Sequence, residues 1–236
     1  MSLILSIETA TKLCSVALAR NGAVLALCEE ESEKHIHAEK LNVFIAQVMA
    51  EAECDLRALD AVAVGIGPGS YTGSRIGLSA AKGLCFALDL PIIGISTLYT
   101  LFERAKAMGV LPQNSTDTFH PMVDARRMEV FAQAFNAERV PIGEMAPLIL
   151  DEAWAAQEGV KRIVFGDGAD KATALWKDQP TILHIPGVRP SAGAMAREAE
   201  RRFKANAFDD LAYLVPAYGK AANVTQSKKL GSASGL

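Results

Sequence analysis

The sequence predicts an α/β fold of two units, each a mixed sheet flanked by helices, with the second unit reduced. Three observations predict it. Residues 1–108 read in the order β-β-β-α-β-α-β, which requires a sheet with both antiparallel and parallel strands. Asn21-Gly22 stands between two β-prone runs, the signal of a type I′ hairpin. Val62-Ala63-Val64 feeds the glycine loop Gly65-Ile66-Gly67-Pro68-Gly69-Ser70-Tyr71-Thr72-Gly73, and a helical pattern follows. That is the strand–loop–helix step of a parallel crossover.

Taken in order, Leu3 to Glu8, Cys14 to Arg20 and Ala23 to Cys28 read as strands. A helix from His35 to Glu53 carries the core stripe Leu41, Ile45, Val48 and Ala52, widened by Phe44 and Met49. Asp55 caps a short helical turn. The next helix runs from Ser74 to Asp89, with Ser74 or Thr72 as its N-cap and Asp89 closing it. Pro91 to Ile95 is a strand, and Ser96 or Thr97 caps a helix ending near Met108. The polar stretch Pro112 to Thr118 marks the start of the second unit. There, Pro121 to Ala125 and Glu129 to Phe135 form a hairpin. Ile163 to Phe165 leads into Gly166-Asp167-Gly168 and a helix over Ala169 to Lys177. A strand at Ile182 to Ile185 and a Ser191-capped helix to about Ala205 complete the unit. The expected organisation is residues 1–110 with about 207–222, a second unit over 111–206, and a disordered tail at 223–236.

Composition narrows the function. The chain has 236 residues, is 50% hydrophobic and carries a net charge of −3, which is no general nucleic-acid-binder signature. The charge is uneven: the first sixty residues are acid-rich, while Arg197, Arg201, Arg202 and Lys204 cluster on one helix. Cys14, Cys28, Cys54 and Cys85 form no CxxC pair, so reduced buried thiols and a cytoplasmic protein are expected. No apolar run reaches transmembrane length.

The glycine loop fails the P-loop test, because Gly73 is followed by Ser74 and Arg75 rather than Lys-Ser/Thr. Gly67, Gly69 and Gly73 are spaced too wide for the dinucleotide fingerprint. Two readings stay open: weak anion binding at Gly67, Gly69 and Gly73, or a turn that packs a helix close to a sheet. The helix after it carries only Arg75, Lys82 and Asp89 as charges, so it is buried on more than one side. One side is the sheet; the other is a partner or the rest of the chain. His35 and His37 are two apart and point to different helix faces, which reads as surface histidines rather than a metal site. No metal site and no catalytic residue is expected.

Ile4-Leu5-Ser6-Ile7-Glu8-Thr9-Ala10-Thr11 with Cys14-Ser15-Val16-Ala17-Leu18 resembles the opening hairpin of the actin/Hsp70-like ATPase superfold. Gly65 to Gly77 followed by Ala81-Lys82-Gly83-Leu84 is similar to the TsaB/TsaD branch. Asp124-Ala125-Arg126-Arg127-Met128-Glu129-Val130-Phe131 and Val164-Phe165-Gly166-Asp167-Gly168 resemble the TsaB family, also called YeaZ. The resemblance covers about residues 1–220. It implies a non-catalytic dimerisation subunit for threonylcarbamoyl transfer to the adenosine beside the anticodon of tRNA. The implied partners are TsaD in a heterodimer, TsaE in a larger complex, a second copy when alone, and tRNA mainly through the partner. The implied interface is Ala38, Leu41, Ile45, Arg75, Ile76, Leu78, Ala81, Lys82, Leu84 and Cys85. A weak ATP or ADP site, none being required, would involve Glu8, Thr9, Gly67, Gly69, Gly73, Gly166, Asp167 and Gly168. The rival readings are a nucleotide-dependent kinase or ATPase of the same superfold and a glycoprotease. Against the family pattern, Pro216-Ala217-Tyr218-Gly219-Lys220 ends in lysine rather than arginine.

Overall fold

Strong β-formers and one Asn-Gly turn build the first sheet. The computed structural model describes residues 1–33, 36–112 and 116–220. Strands β1 (Leu3–Glu8), β2 (Leu13–Arg20) and β3 (Ala23–Glu31) form an antiparallel meander. Asn21 (φ 51°) and Gly22 (φ 77°) supply the two left-handed residues of the β2–β3 turn. Helix α1 (His37–Glu51), a 3₁₀ turn at Leu56–Ala58 and β4 (Ala61–Gly65) follow. Asp55 caps that turn by accepting from Arg57 N–H at 2.8 Å, as expected. Helix α2 (Tyr71–Leu88), β5 (Ile92–Ile95) and α3 (Thr97–Ala107) complete the half. The sheet order is β3-β2-β1-β4-β5, with β4 and β5 parallel to β1.

The second sheet repeats this plan. Strands β6 (Thr118–Asp124), β7 (Glu129–Phe135) and β8 (Pro141–Ile149) form a meander. Helix α4 (Glu152–Ala155), β9 (Arg162–Phe165), α5 (Asp167–Asp170), α6 (Thr173–Trp176) and β10 (Ile182–Ile185) follow. A 3₁₀ turn at Ala192–Met195 runs into α7 (Ala196–Lys204). The order β8-β7-β6-β9-β10 reproduces that of the first sheet strand for strand. The fold is the pair of mixed, helix-flanked sheets the sequence predicts, the second one reduced. The reduction is in the helices: α1 has 15 residues against 4 in α4, and α2 has 18 against the two single turns α5 and α6.

Each half lends its last helix to the other. Helix α3 follows the first sheet, yet Leu98, Leu101, Phe102 and Ala105 join Phe119, Phe135, Ile163 and Phe165 of the second. Phe102 meets Phe119 edge-on at 5.4 Å and Phe135 at 5.5 Å between ring centroids. The segment after β10 does the reverse: Ala192, Met195 and Ala199 pack on Ile4, Ala17, Ala61, Ala63 and Ile93. A large α1–α2 core covers the opposite face of the first sheet.

Four local expectations need correcting. Helix α2 starts three residues early, and its cap is Ser70, whose Oγ accepts from Gly73 N–H at 3.1 Å, not Ser74 or Thr72. The single helix expected over 169–177 is broken, because the Asp170 carbonyl accepts from Thr173 Oγ instead of continuing the ladder. Strand β8 and helix α4 have no counterpart in the sequence reading. His37 is no surface group: it is buried, with Nε2 2.9 Å from the Thr11 carbonyl oxygen. His35 and the tail at 223–236 lie outside the described residues.

Candidate functional site: a closed glycine loop beside an open helical groove

Burial decides what the first glycine loop can do. Glu8 ends β1 with no exposure at all. Ala10 N–H donates to its Oε1 at 2.8 Å and Thr97 Oγ donates to its Oε2 at 3.1 Å. Burial outweighs these hydrogen bonds and pushes its pKa up to about 7. Gly65 lies directly over the carboxyl, since a Cβ there would sit 2.3 Å from Glu8 Oε2. The Glu8 carboxyl therefore ties β1, the turn after it and the start of α3 together from inside.

The loop itself is filled by the chain. A Cβ on Gly69 would lie 2.1 Å from the Ala10 carbonyl oxygen, and one on Gly73 2.1 Å from that of Thr9. Ser70 N–H donates to Ala10 O at 2.6 Å, and Thr9 Oγ donates to Gly73 O at 2.8 Å. The Gly67 carbonyl accepts from Thr97 N–H at 2.8 Å. Thus Glu8, Thr9, Gly67, Gly69 and Gly73 are brought together, but against one another. The amides of Ser70 and Gly73 are spent within the chain, and the Thr9 and Ala10 carbonyls close the loop at Gly73 and Gly69.

Gly166, Asp167 and Gly168 occupy the equivalent step after β9. Gly166 adopts φ 102° because its Cα approaches the Met122 carbonyl, which a Cβ would meet at 2.3 Å. Asp167 Oδ1 accepts from Asp124 N–H at 3.0 Å, and burial holds its carboxyl above the usual range. Asp124, the last residue of β6, is exposed and ion-paired with Lys171. Among the described residues no cluster of three or more His, Cys, Asp and Glu side chains could hold a metal ion.

The open feature is elsewhere. Helices α1 and α2 lie side by side, and between them is a groove of about 660 Å³ lined by Ala38, Asn42, Tyr71, Arg75, Ile76 and Ser79, among others. Tyr71, Arg75 and Ser79 are exposed on one face of α2, and Phe86 continues the face at 83% exposure. Not all the expected interface residues are on it. Leu41, Ile45, Leu78, Ala81 and Cys85 are buried in the chain's own core, so their side chains are already committed; of these only Leu41 also floors the groove. Ala38 and Arg75 are exposed, while Ile76, Lys82 and Leu84 are half-buried.

Sequence reasoning missed the brace on this face. Residues 209–220 form a C-terminal strap along α2. Lys82 Nζ donates to the Ala212 carbonyl at 3.0 Å, and Ala217 N–H to Ile66 O at 2.7 Å. The Arg75 guanidinium stacks on Tyr71 at 4.0 Å from the ring centroid and donates from Nε to Tyr218 Oη at 2.7 Å. Lys220 then pairs with Glu129 of β7. The i, i+4 spacing of Tyr71 and Arg75 was the available signal; the pairing with Tyr218, far along the chain, had none.

Comparisons place this geometry. The family model for TsaD, tRNA N6-adenosine threonylcarbamoyltransferase, matches residues 30–166. The tRNA threonylcarbamoyladenosine biosynthesis protein TsaB of Buchnera aphidicola subsp. Acyrthosiphon pisum is 33% identical over 193 residues, 79% of each chain. The chain belongs to the TsaB family. The TsaB of Escherichia coli K12 is 38% identical over 131 residues, 54% of this chain and 52% of that protein. With that relative and the Haemophilus influenzae TsaB, the chain spans about half the length of the curated relatives it matches. Among solved structures, YeaZ from Pseudomonas aeruginosa superposes with a TM-score of 0.76 at 26% identity, covering 92% of this chain and all of that one. Among the described residues of this TsaB-family chain, no helix is long and apolar enough to cross a membrane.

Proposed function

We propose that this chain is a scaffold subunit in the threonylcarbamoylation of tRNA, and that it works by presenting the α1–α2 groove to a TsaD-type enzyme. The observation that carries the reading is the exposed face of α2. A helix whose inner side is committed to the sheet still offers Tyr71, Arg75, Ser79 and Phe86 to the outside, beside the small residues Ala38 and Ala80. An aromatic and arginine face with small residues in its groove suits a protein helix. The relatives named TsaB supply the pathway. In the absence of the enzyme the same face pairs with a second copy, since an exposed Phe86 is unfavourable in water. An ATPase of the larger complex and the tRNA are reached through the enzyme, in the cytoplasm.

This subunit does no chemistry of its own in the proposal. The closed first loop supports that part, as do the commitment of Ser70 Oγ to capping α2 and of Glu8 to internal hydrogen bonds. No nucleotide is required at that loop.

The test is to mix the chain with a TsaD-family enzyme and size the product by light scattering, beside Ala38→Arg and Ser79→Arg. Both positions are exposed in the groove, so both variants keep their circular dichroism spectrum. The expected result is a heteromeric complex with wild type that both arginines abolish. A wild type that does not associate, or arginines without effect, would overturn the proposal.

A further inference from the structure

Two hairpin turns in this molecule demand consecutive left-handed residues, and they meet the demand differently. The β2–β3 turn uses Asn21 and Gly22, the residues that tolerate this backbone best. The β6–β7 turn uses Arg126 (φ 70°) and Arg127 (φ 49°). A left-handed residue other than glycine or asparagine costs on the order of 1 kcal/mol. The turn is nevertheless held firmly. Arg126 N–H donates to Asp124 Oδ1 at 2.8 Å, and Ala125 N–H donates to Glu129 O at 3.0 Å. Backbone strain kept in a well-braced turn points to a use for the side chains.

The surrounding charges point the same way. Every acid near the tip is already engaged: Asp124 with Lys171, Glu129 with Lys220, and Asp167 with the Asp124 amide. Arg126 and Arg127 are exposed, and neither guanidinium has an ion pair among the described residues. The result is a protruding pair of free arginines backed by two lysines that cancel the local acids. Apart from the half-exposed Met128 the tip has no apolar surface, so it lacks the buried core a protein interface needs. Phosphate contacts need none; they are made singly, by protruding donors.

We infer that the Arg126–Arg127 turn holds the phosphodiester backbone of RNA. The inference rests on the scaffold reading, which supplies a tRNA complex, and goes beyond it by giving this chain its own contact. The strap sets the distance: Lys220 is anchored on Glu129 at the base of this hairpin and Tyr218 on Arg75 of α2. Those anchors are two residues apart, roughly 7 Å between Cα atoms, and their side chains span the rest. The strap thus links the base of the RNA-holding hairpin to the helix that docks the enzyme.

The experiment uses Arg126→Asn with Arg127→Gly, and a second variant, Arg126→Lys with Arg127→Lys. Unmodified tRNA transcript is titrated into the complex with the enzyme at several salt concentrations. The Asn-Gly variant is expected to melt higher than wild type, to assemble normally, and to bind tRNA on the order of tenfold more weakly at low salt. Its plot of log affinity against log salt should be shallower by about two. The lysine variant should keep most of the wild-type slope. Unchanged affinity and slope in the Asn-Gly variant would overturn the inference. So would normal tRNA binding with impaired assembly, which would make the tip a protein contact. If wild type forms no complex, the scaffold reading fails separately. The same titration on the chain alone then decides: salt-dependent binding lost in the Asn-Gly variant supports the RNA contact, and no difference overturns it.

Discussion

The two halves share one topology and differ in what happens at the end of their first strand. In the first half that residue is Glu8, sealed beneath Gly65 and held by Ala10 and Thr97. In the second half it is Asp124, exposed and paired with Lys171. The loop after the fourth strand differs likewise. Residues 65–73 close on the Thr9–Ala10 backbone, and the long helix α2 leaves from them. Residues 166–168 lead only to single turns. The closed half thus becomes a rigid platform that aims α2 outward. The open half keeps its charged groups and its hairpin tip at the surface. Closing the loop and starting helix α2 are one structural event, since the contacts of Ser70 and Gly73 with Thr9 and Ala10 also fix the helix start.

The halves are coupled most strongly at the exchanged helices. Phe102→Ala removes an α3 side chain from the second core and should cost about 3–5 kcal/mol. Because α3 continues from β5 of the first sheet, both halves should still unfold together. Tryptophan fluorescence reports the second half alone, through Trp154 and Trp176, and should coincide with far-ultraviolet circular dichroism. Separate transitions would show the halves to be independent.

Next comes pH, where the halves respond in opposite directions. The folded state favours the protonated form of Glu8, so it binds more protons than the unfolded chain between pH 4.5 and about 7. Stability from this group therefore falls as pH rises through that window, by about 3 kcal/mol in all. In the second half, burial lowers the pKa of His120 to about 4, with the charge of Arg162 adding to it. There the unfolded chain binds more protons between about 4 and 6.5, and stability rises with pH. The two largely cancel in wild type. Glu8→Gln should leave a melting temperature that climbs with pH, and His120→Phe one that declines. Parallel profiles for the two variants would refute the assignment.

The glycines of α2 give the smallest and finest contrast. Gly73→Ala places a methyl against the Thr9 carbonyl and should destabilise by about 1–3 kcal/mol. Gly83 has open space around it, and Gly83→Ala should stabilise by about 0.5–1 kcal/mol. Urea denaturation of the pair measures whether closeness is confined to the loop end of the helix.

The sequence carried the first half well because its signals are local. Asn21-Gly22, the glycine run, and Asp89 as the left-handed cap of α2 are each set by backbone preference over a few residues. Strand β8 was illegible because it is an edge strand carrying Pro141, Gly143 and Pro147, with most of its residues exposed and no alternation to read. The broken helix after β9 depends on one hydroxyl competing for the Asp170 carbonyl. The shared topology left no trace in the residues, since a fold repeats through strand pairing rather than through side-chain identity. At the site, the glycine positions were readable but their occupancy was not. Whether a glycine faces a phosphate or the chain's own carbonyl is fixed by residues some sixty positions away, Thr9 and Ala10. Likewise, the apolar character of α2 hid which of its sides was committed.

The most direct test of the central claim is hydrogen–deuterium exchange of the chain with and without a TsaD-family enzyme. New protection is expected on α1 and along Tyr71–Leu88 of α2. The amides of Ile66 and Ser70 should be slow in both states, because they are already bonded to Ile95 and Ala10 within the chain. Protection confined to the open end of the second half, at Asp124–Glu129 and Asp167–Lys171, with α1 and α2 unchanged, would contradict it.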